Sequence, residues 1–258
     1  MPSIAPLTFF LILILSLPGG ALAQDNLDAT PFLYRNQLPD GVQYLPPPPQ
    51  TDSDDFVDDW LGYQWGKSMR TPPRGEMAIR DADYHTDVIA KGFSPAFGMD
   101  ISQENTPQIY TLLSRTIETG KQAVRTTKKF YSRKRPYVEF DEPTLVPEHE
   151  LFNRISGSYP SGHTAMGWSA ALVLLEIHPQ AAEAILKRGY EYGESRIIAG
   201  YHYRSDVHAG RMAASAAVAR LHADPGFLDQ MQKAKDEFLR LSTSKNKNIL
   251  SKTPHQKQ

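Results

Sequence analysis

The sequence predicts an all-α chain organised as a single domain, on three observations. Apolar residues recur at three- and four-residue spacing, as at Ile109, Leu112, Leu113 and Ile117, which is the stripe of an amphipathic helix. No stretch alternates apolar and polar residues over the length a half-buried strand needs. Prolines and glycines punctuate the periodic stretches at Pro72-Pro73, Gly92 to Gly98, Pro136, Pro143, Pro147, Pro160, Pro179, Gly200 and Pro225. The 258 residues suffice for one generous domain with a real core.

Residues 1–23 read as an export signal. The apolar run from Leu7 to Leu17 is followed by Pro18-Gly19-Gly20 and by the small-residue cleavage pattern Ala21-Leu22-Ala23. That run is short against the ~20 residues needed to span a bilayer, so the mature chain is expected to be soluble and free of the membrane. Residues 24–52 form an extended arm that includes Pro46-Pro47-Pro48-Pro49, a polyproline stretch expected to lie on the domain. The acids Asp52, Asp54, Asp55, Asp58 and Asp59 read as the solvated start of a helix over 53–69, where negative charge answers the positive end of the dipole. Further helices are expected at 74–83, 105–131, 163–176, 180–196, 205–222 and 226–241, so the domain proper runs 53–242. The stretch 163–176 is apolar almost all round and should be central, and 243–258 reads as a polar tail.

Charge and composition exclude several functions. The 28 Lys+Arg against 29 Asp+Glu give a net charge of −1, with no basic field for nucleic acid. The absence of cysteine removes disulfides, thiolate-bound zinc, iron–sulfur clusters and thiol nucleophiles. The chemistry falls to His, Ser, carboxylates and cations.

Three segments place such residues at helix boundaries. In Lys128-Lys129-Phe130-Tyr131-Ser132-Arg133-Lys134-Arg135-Pro136, five cations fall in eight residues. Cations near a helix C-terminus commonly answer the macrodipole. If the helix persists, though, Lys128 and Arg135 lie two turns apart on one face, suited to converge on one dianion. Gly157-Ser158-Tyr159-Pro160-Ser161-Gly162-His163-Thr164 forms a tight turn into an apolar helix, whose free N–H groups make an anion site. Ser161 adds a hydroxyl, Gly162 permits close backbone approach, and His163 can carry a proton; an ordinary capped helix start would look similar. In Ser195-Arg196 and Tyr201-His202-Tyr203-Arg204-Ser205-Asp206, Ser205 reads as the N-cap and Asp206 can reach one nitrogen of His202. Such a pair is also common as a purely structural contact. Taken together, Lys128, Arg135, Ser161, Gly162, His163, Arg196, His202 and Asp206 suit phosphoryl chemistry: charge to neutralise, a nucleophile in line, and an acid for the leaving oxygen.

Lys128-x6-Arg135-Pro136, Pro160-Ser161-Gly162-His163 and Ser195-Arg196-x5-His202-x3-Asp206 resemble the three-part signature of the type 2 phosphatidic acid phosphatase superfamily. The fuller string Gly157 to Thr164, the Tyr44-Leu45-Pro-Pro-Pro-Pro arm and Glu176-Ile177-His178-Pro179-Gln180 resemble its bacterial class A non-specific acid phosphatases in particular. Members of that group often carry cysteines, and this chain has none. The resemblance implies a helical bundle of the acid phosphatase/vanadium haloperoxidase type. It implies attack on phosphorus by His202, support of His202 by Asp206, and acid and base work by His163. Lys128, Arg135, Arg196, Ser161 and the Gly162 N–H would hold the phosphoryl oxygens, so no cofactor and no metal is expected. Phosphomonoesters such as nucleotides, sugar phosphates and aryl phosphates are the implied substrates, with phosphate and vanadate as inhibitors. A homodimer or higher homo-oligomer in the periplasm, or secretion to the medium, is implied as well.

Other phosphatase types fit poorly. Asp52-Ser53-Asp54-Asp55-Phe56 departs from the aspartyl-phosphate motif and follows no apolar strand, and the Arg-His-Gly motif of histidine acid phosphatases is absent. A vanadate-dependent haloperoxidase would use the same pocket for a resident anion, and an exported phosphate-binding protein would use it without turnover. The short signal-bearing chain argues against the first, and the intact set of reactive residues against the second.

Overall fold

The structure is a computed structural model and describes residues 30–250; the leader 1–23 and the end of the polar tail lie outside the described residues. Among the described residues every regular element is helical. The first half contains α1 (Gly41–Tyr44), α2 (Phe56–Ser68), α3 (Arg74–Arg80), α4 (Thr86–Phe97), α5 (Pro107–Ala123) and α6 (Arg125–Tyr131). The second half contains α7 (Pro136–Glu139), α8 (Glu150–Arg154), α9 (Gly162–Ile177), α10 (Ala182–Ile198), α11 (Arg204–Leu221) and α12 (Pro225–Leu250). The all-α expectation holds.

Helix α9 is the axis of the bundle because it has no polar stripe to offer solvent. Ala165, Met166, Ala170, Ala171, Val173 and Leu174 are all buried, and α5, α10 and α11 pack around it. The core then runs outward through Ile109, Leu112 and Leu113 of α5, Phe93 and Phe97 of α4, and Phe227 of α12. Each large apolar side chain buried in this way contributes roughly 1.5–3 kcal/mol. The start of α5 is also held electrostatically. The buried Glu237 of α12 accepts the N–H groups of Gln108 and Ile109 at 3.0 Å each, a carboxylate at the positive end of a helix.

Three local readings need correction. Gly92 to Gly98 is not a connecting loop: Thr86–Phe97 is helical, and only Gly98, at φ 78°, terminates it in the left-handed conformation. Gly92 lies inside that helix where a side chain would press on Arg188, whose Nε donates to the Gly92 carbonyl at 3.1 Å. The expected helix 105–131 is broken at Val124, so α5 and α6 are separate. The last helix continues to Leu250, beyond the periodic stretch that ends near 241. The polyproline arm lies against the domain, with the Tyr159 hydroxyl donating to the Pro46 carbonyl and Arg133 to that of Pro49.

Close approach of α5 to α9 depends on Gly120. A Cβ there would stand 2.7 Å from Ser169 Oγ and 2.9 Å from the Ala165 carbonyl. Gly120→Ala is therefore expected to cost about 1–3 kcal/mol by forcing the helices apart. Thermal unfolding should show Tm lowered by about 2–4 °C for each of those kcal/mol; an unchanged Tm would contradict this packing.

Candidate active site

The three segments singled out in the sequence meet at the ends of α6, α9 and α11. A cavity of about 780 Å³ opens there, and Lys128, Arg135, Gly162, His163 and His202 all line it. Arg196, Ser161 and Asp206 stand behind its wall, fully buried.

Lys128 and Arg135 converge by a different route from the one the spacing suggests. Helix α6 stops at Ser132, which adopts φ 44°, and Arg135 is the residue that precedes α7. The two cations therefore come from two elements joined by a tight turn, not from one helix face. Lys128 Nζ donates to the carbonyls of Gly157 at 2.8 Å and Ser158 at 3.3 Å. Gly157 must be glycine, because a Cβ would lie 2.8 Å from the Lys128 carbonyl. Arg135 donates through Nε to the carbonyls of Asn153 and Ser156, both at 3.0 Å, and through Nη1 to that of Tyr201 at 3.2 Å. Burial pushes Lys128 well below the ordinary lysine range, and neighbouring Arg135 adds to the shift. Burial, then Arg196, brings Arg135 down to about 10, so the guanidinium stays charged at neutral pH.

Arg196, near the end of α10, is the least satisfied group in the site. Its side chain is fully buried, yet Nε and Nη1 have no hydrogen-bond partner among the described residues. Its guanidinium lies 4.7 Å from the Tyr201 ring centroid. Buried donors are normally paired, and two orphaned N–H groups on a cation are the signature of a site built for an anion.

Ser161 caps α9. Its Oγ accepts from the Thr164 N–H at 3.3 Å and the Thr164 hydroxyl at 2.9 Å, which leaves its own proton available to donate. Its N–H donates to the Asp206 carbonyl at 2.9 Å and ties this turn to α11.

The two histidines differ in tautomer. His202 Nε2 lies 3.1 Å from Arg135 Nη1. A guanidinium can only donate, so Nε2 is the acceptor and the proton is on Nδ1. Nδ1 faces Asp206 Oδ2 at 3.4 Å and Ser158 Oγ at 3.3 Å. His163 Nε2 lies 3.1 Å from the Ala82 carbonyl, which can only accept, so Nε2 carries the proton and Nδ1 is the nitrogen that gains or loses one. Burial lowers both pKa values well below the ordinary histidine value. Arg196 is the chief charge acting on His163, and Arg135 and Lys128 those acting on His202.

Asp206 is held more tightly than the i,i+4 spacing implied. It sits at the third position of α11; the helix begins at Arg204, and Tyr203, not Ser205, precedes it. Oδ2 accepts the Tyr203 N–H at 2.8 Å and the Ser158 hydroxyl at 2.5 Å, while Oδ1 pairs with Arg133 at 2.8 Å. Arg133 pairs in turn with the buried Asp59 at 2.7 Å. Asp59 read as one of a run of solvated acids. Its spacing from Phe56 and Tyr63, three and four residues away, places all three on the buried face of α2, and that periodicity was the available signal.

Tyr84 and His85, which no motif indicated, also line the cavity beside His163. Their rings are stacked at 5.2 Å, and Tyr84 meets His163 edge-on at 5.8 Å. Of the aromatics near the motifs, Tyr137, Tyr159, Tyr201 and Tyr203 are core residues, whereas Phe152 lines the cavity and is 76% exposed. Among the described residues no three His, Asp or Glu side chains converge as metal ligands would.

An all-helical frame that brings an orphaned arginine, a lysine and two histidines to the starts of two helices defines a protein for binding and processing phosphoryl groups. Residues 109–226 match the PAP2 superfamily, and the chain belongs to it. The chain is 46% identical over 211 residues to the non-specific acid phosphatase of Providencia stuartii, covering 81% of this chain and 85% of that one. It is 38% identical over 252 residues to the non-specific acid phosphatase of Salmonella typhimurium, covering 97% of both. It is 36% identical over 205 residues to the acid phosphatase of Zymomonas mobilis, covering 80% of this chain and 78% of that one.

Removing the orphaned charge separates stability from binding. Arg196→Met deletes an unpaired buried cation and keeps most of the volume. The ligand-free protein should gain about 1 kcal/mol, which raises Tm by about 2–4 °C, while affinity for inorganic phosphate falls. A variant with lower Tm and unchanged phosphate affinity would show that Arg196 serves the fold instead.

Proposed function

We propose that the protein is an acid phosphatase that hydrolyses phosphomonoesters through a phosphohistidine on His202. The observation that carries this reading is the arrangement of His202: Nε2 unprotonated and turned toward Arg135, Nδ1 backed by Asp206, in a cavity where cations outnumber acids. The Nε2 lone pair attacks phosphorus while the bond to the leaving oxygen breaks. Protonated His163 gives its proton to that oxygen, so the alcohol departs neutral. His163, now neutral, takes a proton from water, whose oxygen attacks phosphorus and breaks the P–N bond. Lys128, Arg135 and Arg196, with the Ser161 hydroxyl and the Gly162 N–H, stabilise the charge spread over the equatorial oxygens. Nucleotides, sugar phosphates and aryl phosphates all fit this scheme, because the contacts are to the phosphoryl group. Export by the leader 1–23, work in the periplasm as a homodimer, and inhibition by vanadate belong to the same reading. No helix among the described residues is long and apolar enough to cross a membrane.

Rapid mixing with a ³²P-labelled ester and quenching in alkali should trap an acid-labile adduct that maps to His202. His202→Ala should lose the adduct and at least about a thousandfold in kcat. Full hydrolysis by that variant would remove the mechanism, and phosphate binding by the wild type without turnover would identify a binding protein instead.

The depressed histidine pKa values also tie folding to pH. Below about pH 6.5 the unfolded chain takes up protons on these histidines that the ligand-free fold does not. The stability they contribute is present above that value and is lost as pH falls toward the depressed values. A bound phosphoryl dianion offsets the cations, favours protonation of His163 and opposes that loss. Tm of the ligand-free protein should therefore fall on acidification, and inorganic phosphate at a hundred times its Kd should restore about 2.7 kcal/mol. If Tm is flat from pH 7 to 5 and phosphate has no effect, the histidines are not buried as described.

A further inference from the structure

Arg133 does not line the cavity, yet beside it this cation is bonded to two buried carboxylates. It stands in the turn between Ser132 and Arg135, and its side chain runs behind the wall into a space shared by α2, α11 and the N-terminal arm. Nη1 donates to Asp206 Oδ1 at 2.8 Å and to Ser205 Oγ at 2.7 Å. Nη2 donates to Asp59 Oδ2 at 2.7 Å and to the Pro49 carbonyl at 3.2 Å. The guanidinium stacks 4.2 Å from the Tyr203 ring centroid. Its own carbonyl accepts the Ser158 N–H at 2.7 Å, and the Ser158 hydroxyl donates to Asp206 Oδ2. Arg133 thus bears on both oxygens of Asp206: directly on Oδ1 through the guanidinium, and on Oδ2, which the Tyr203 N–H also holds, through its backbone and Ser158.

We propose that Arg133, anchored on Asp59, is a positioning residue for phosphoryl transfer that fixes Asp206 so that its Oδ2 faces His202 Nδ1. Without the guanidinium the carboxylate would be held on Oδ2 alone, by the Tyr203 N–H and the Ser158 hydroxyl. It would be able to turn about that contact away from His202 Nδ1, the nitrogen whose proton leaves Nε2 free to attack. The fork of an arginine suits the task because it spans two carboxylates at once, which a lysine ammonium does less well. The charge balance is consistent with the role. Burial alone would lower the pKa of Arg133, but Asp206 and Asp59 outweigh it and raise the value, so the guanidinium is permanently charged. Two buried carboxylates and one guanidinium leave a single net negative charge behind His202. Arg135, Lys128 and His163 line the cavity with the imidazole, and the buried Arg196 adds its positive charge from behind the wall. The arm enters the same assembly through Pro49, so the polyproline stretch takes part in holding the site.

The inference rests on the reaction proposed above, and four variants test it: Arg133→Met, Arg133→Lys, Asp59→Asn and the double Arg133→Met/Asp59→Asn. Arg133→Met should lower kcat about a hundredfold, the cost of a misplaced group, with little change in KM because the phosphoryl contacts are intact. It also makes the charge behind His202 more negative. The acid limb of kcat/KM should then move up by about one pH unit. Arg133→Lys should recover part of kcat and keep the acid limb in place. The double variant removes one charge of each sign, so it should return the acid limb to its original position while kcat stays low. If Arg133→Met does not fold, Arg133→Lys, Asp59→Asn and the double variant carry the same comparison, and Asp59→Asn should lower kcat with KM kept. Folded variants with wild-type kcat and an unmoved acid limb, or losses of active fraction that only follow Tm, would overturn the role. A wild type that forms no His202 adduct would instead refute the underlying mechanism.

Discussion

Three like charges held together inside a protein repel one another, and this fold has to keep them there without cancelling them. A carboxylate against Lys128, Arg135 or Arg196 would relieve the repulsion but would also compete with any anion entering the cavity. Main-chain carbonyls do the holding instead. Lys128 is bound by Gly157 and Ser158, and Arg135 by Asn153, Ser156 and Tyr201. A carbonyl satisfies an N–H without supplying a full negative charge, so the cations remain electrostatically unspent. The buried acids are tied to other partners: Asp206 and Asp59 to Arg133, and Asp81 to Arg188 and the Ser195 hydroxyl. This segregation, carbonyls in front and carboxylates behind, is what the rest of the site depends on.

The turns and helix ends follow from it. Most of the carbonyls that hold the cations, those of Ser156, Gly157, Ser158 and Tyr201, lie in irregular segments outside the helices. Ser132 takes a left-handed conformation and Gly157 permits contact with the Lys128 backbone. The Ser158 N–H on the Arg133 carbonyl joins segments 132–135 and 156–161, and the Ser161 N–H on the Asp206 carbonyl ties the start of α9 to the start of α11. Asp206 consequently has two structural duties in addition to facing His202: its carbonyl fixes the turn that leads into α9 and its carboxylate fixes the first turn of its own helix.

Much of this was legible in the sequence, and the remainder was hidden for physical reasons. Helix α9 showed itself by being apolar all round, and the site residues by lying at helix boundaries beside Pro and Gly. Helix α4 was hidden because Gly92, Pro95 and Gly98 resemble loop punctuation, whereas Gly92 lies within the helix against Arg188 and only Gly98 ends it. The separation of α6 from Arg135 was invisible because nothing local in Ser132 announces a positive φ. Asp59 and Arg133 were hidden differently. Each is a charged residue within a run of charges, and charge runs are usually solvated. The helical spacing of Asp59 from Phe56 and Tyr63 marks it as inward-facing, but only tertiary packing reveals that Arg133 is the cation it meets.

That inward pair bears on how the proposed acid chemistry is divided between two histidines that the same cations surround. Burial and positive charge drive both toward neutrality, so neither is specialised by field strength alone. What stands behind each ring separates them. His202 is backed by a carboxylate that is itself locked by a guanidinium, which keeps Nδ1 protonated and Nε2 nucleophilic. His163 has a neutral carbonyl behind Nε2, so its free nitrogen responds to whatever charge occupies the cavity. A dianionic monoester offsets more of the surrounding positive charge than a monoanionic diester does, and so favours the protonated His163 that the leaving group requires. Under the proposed reaction, preference for monoesters would need no contact with the alcohol: the charge of the substrate would set the protonation state of His163.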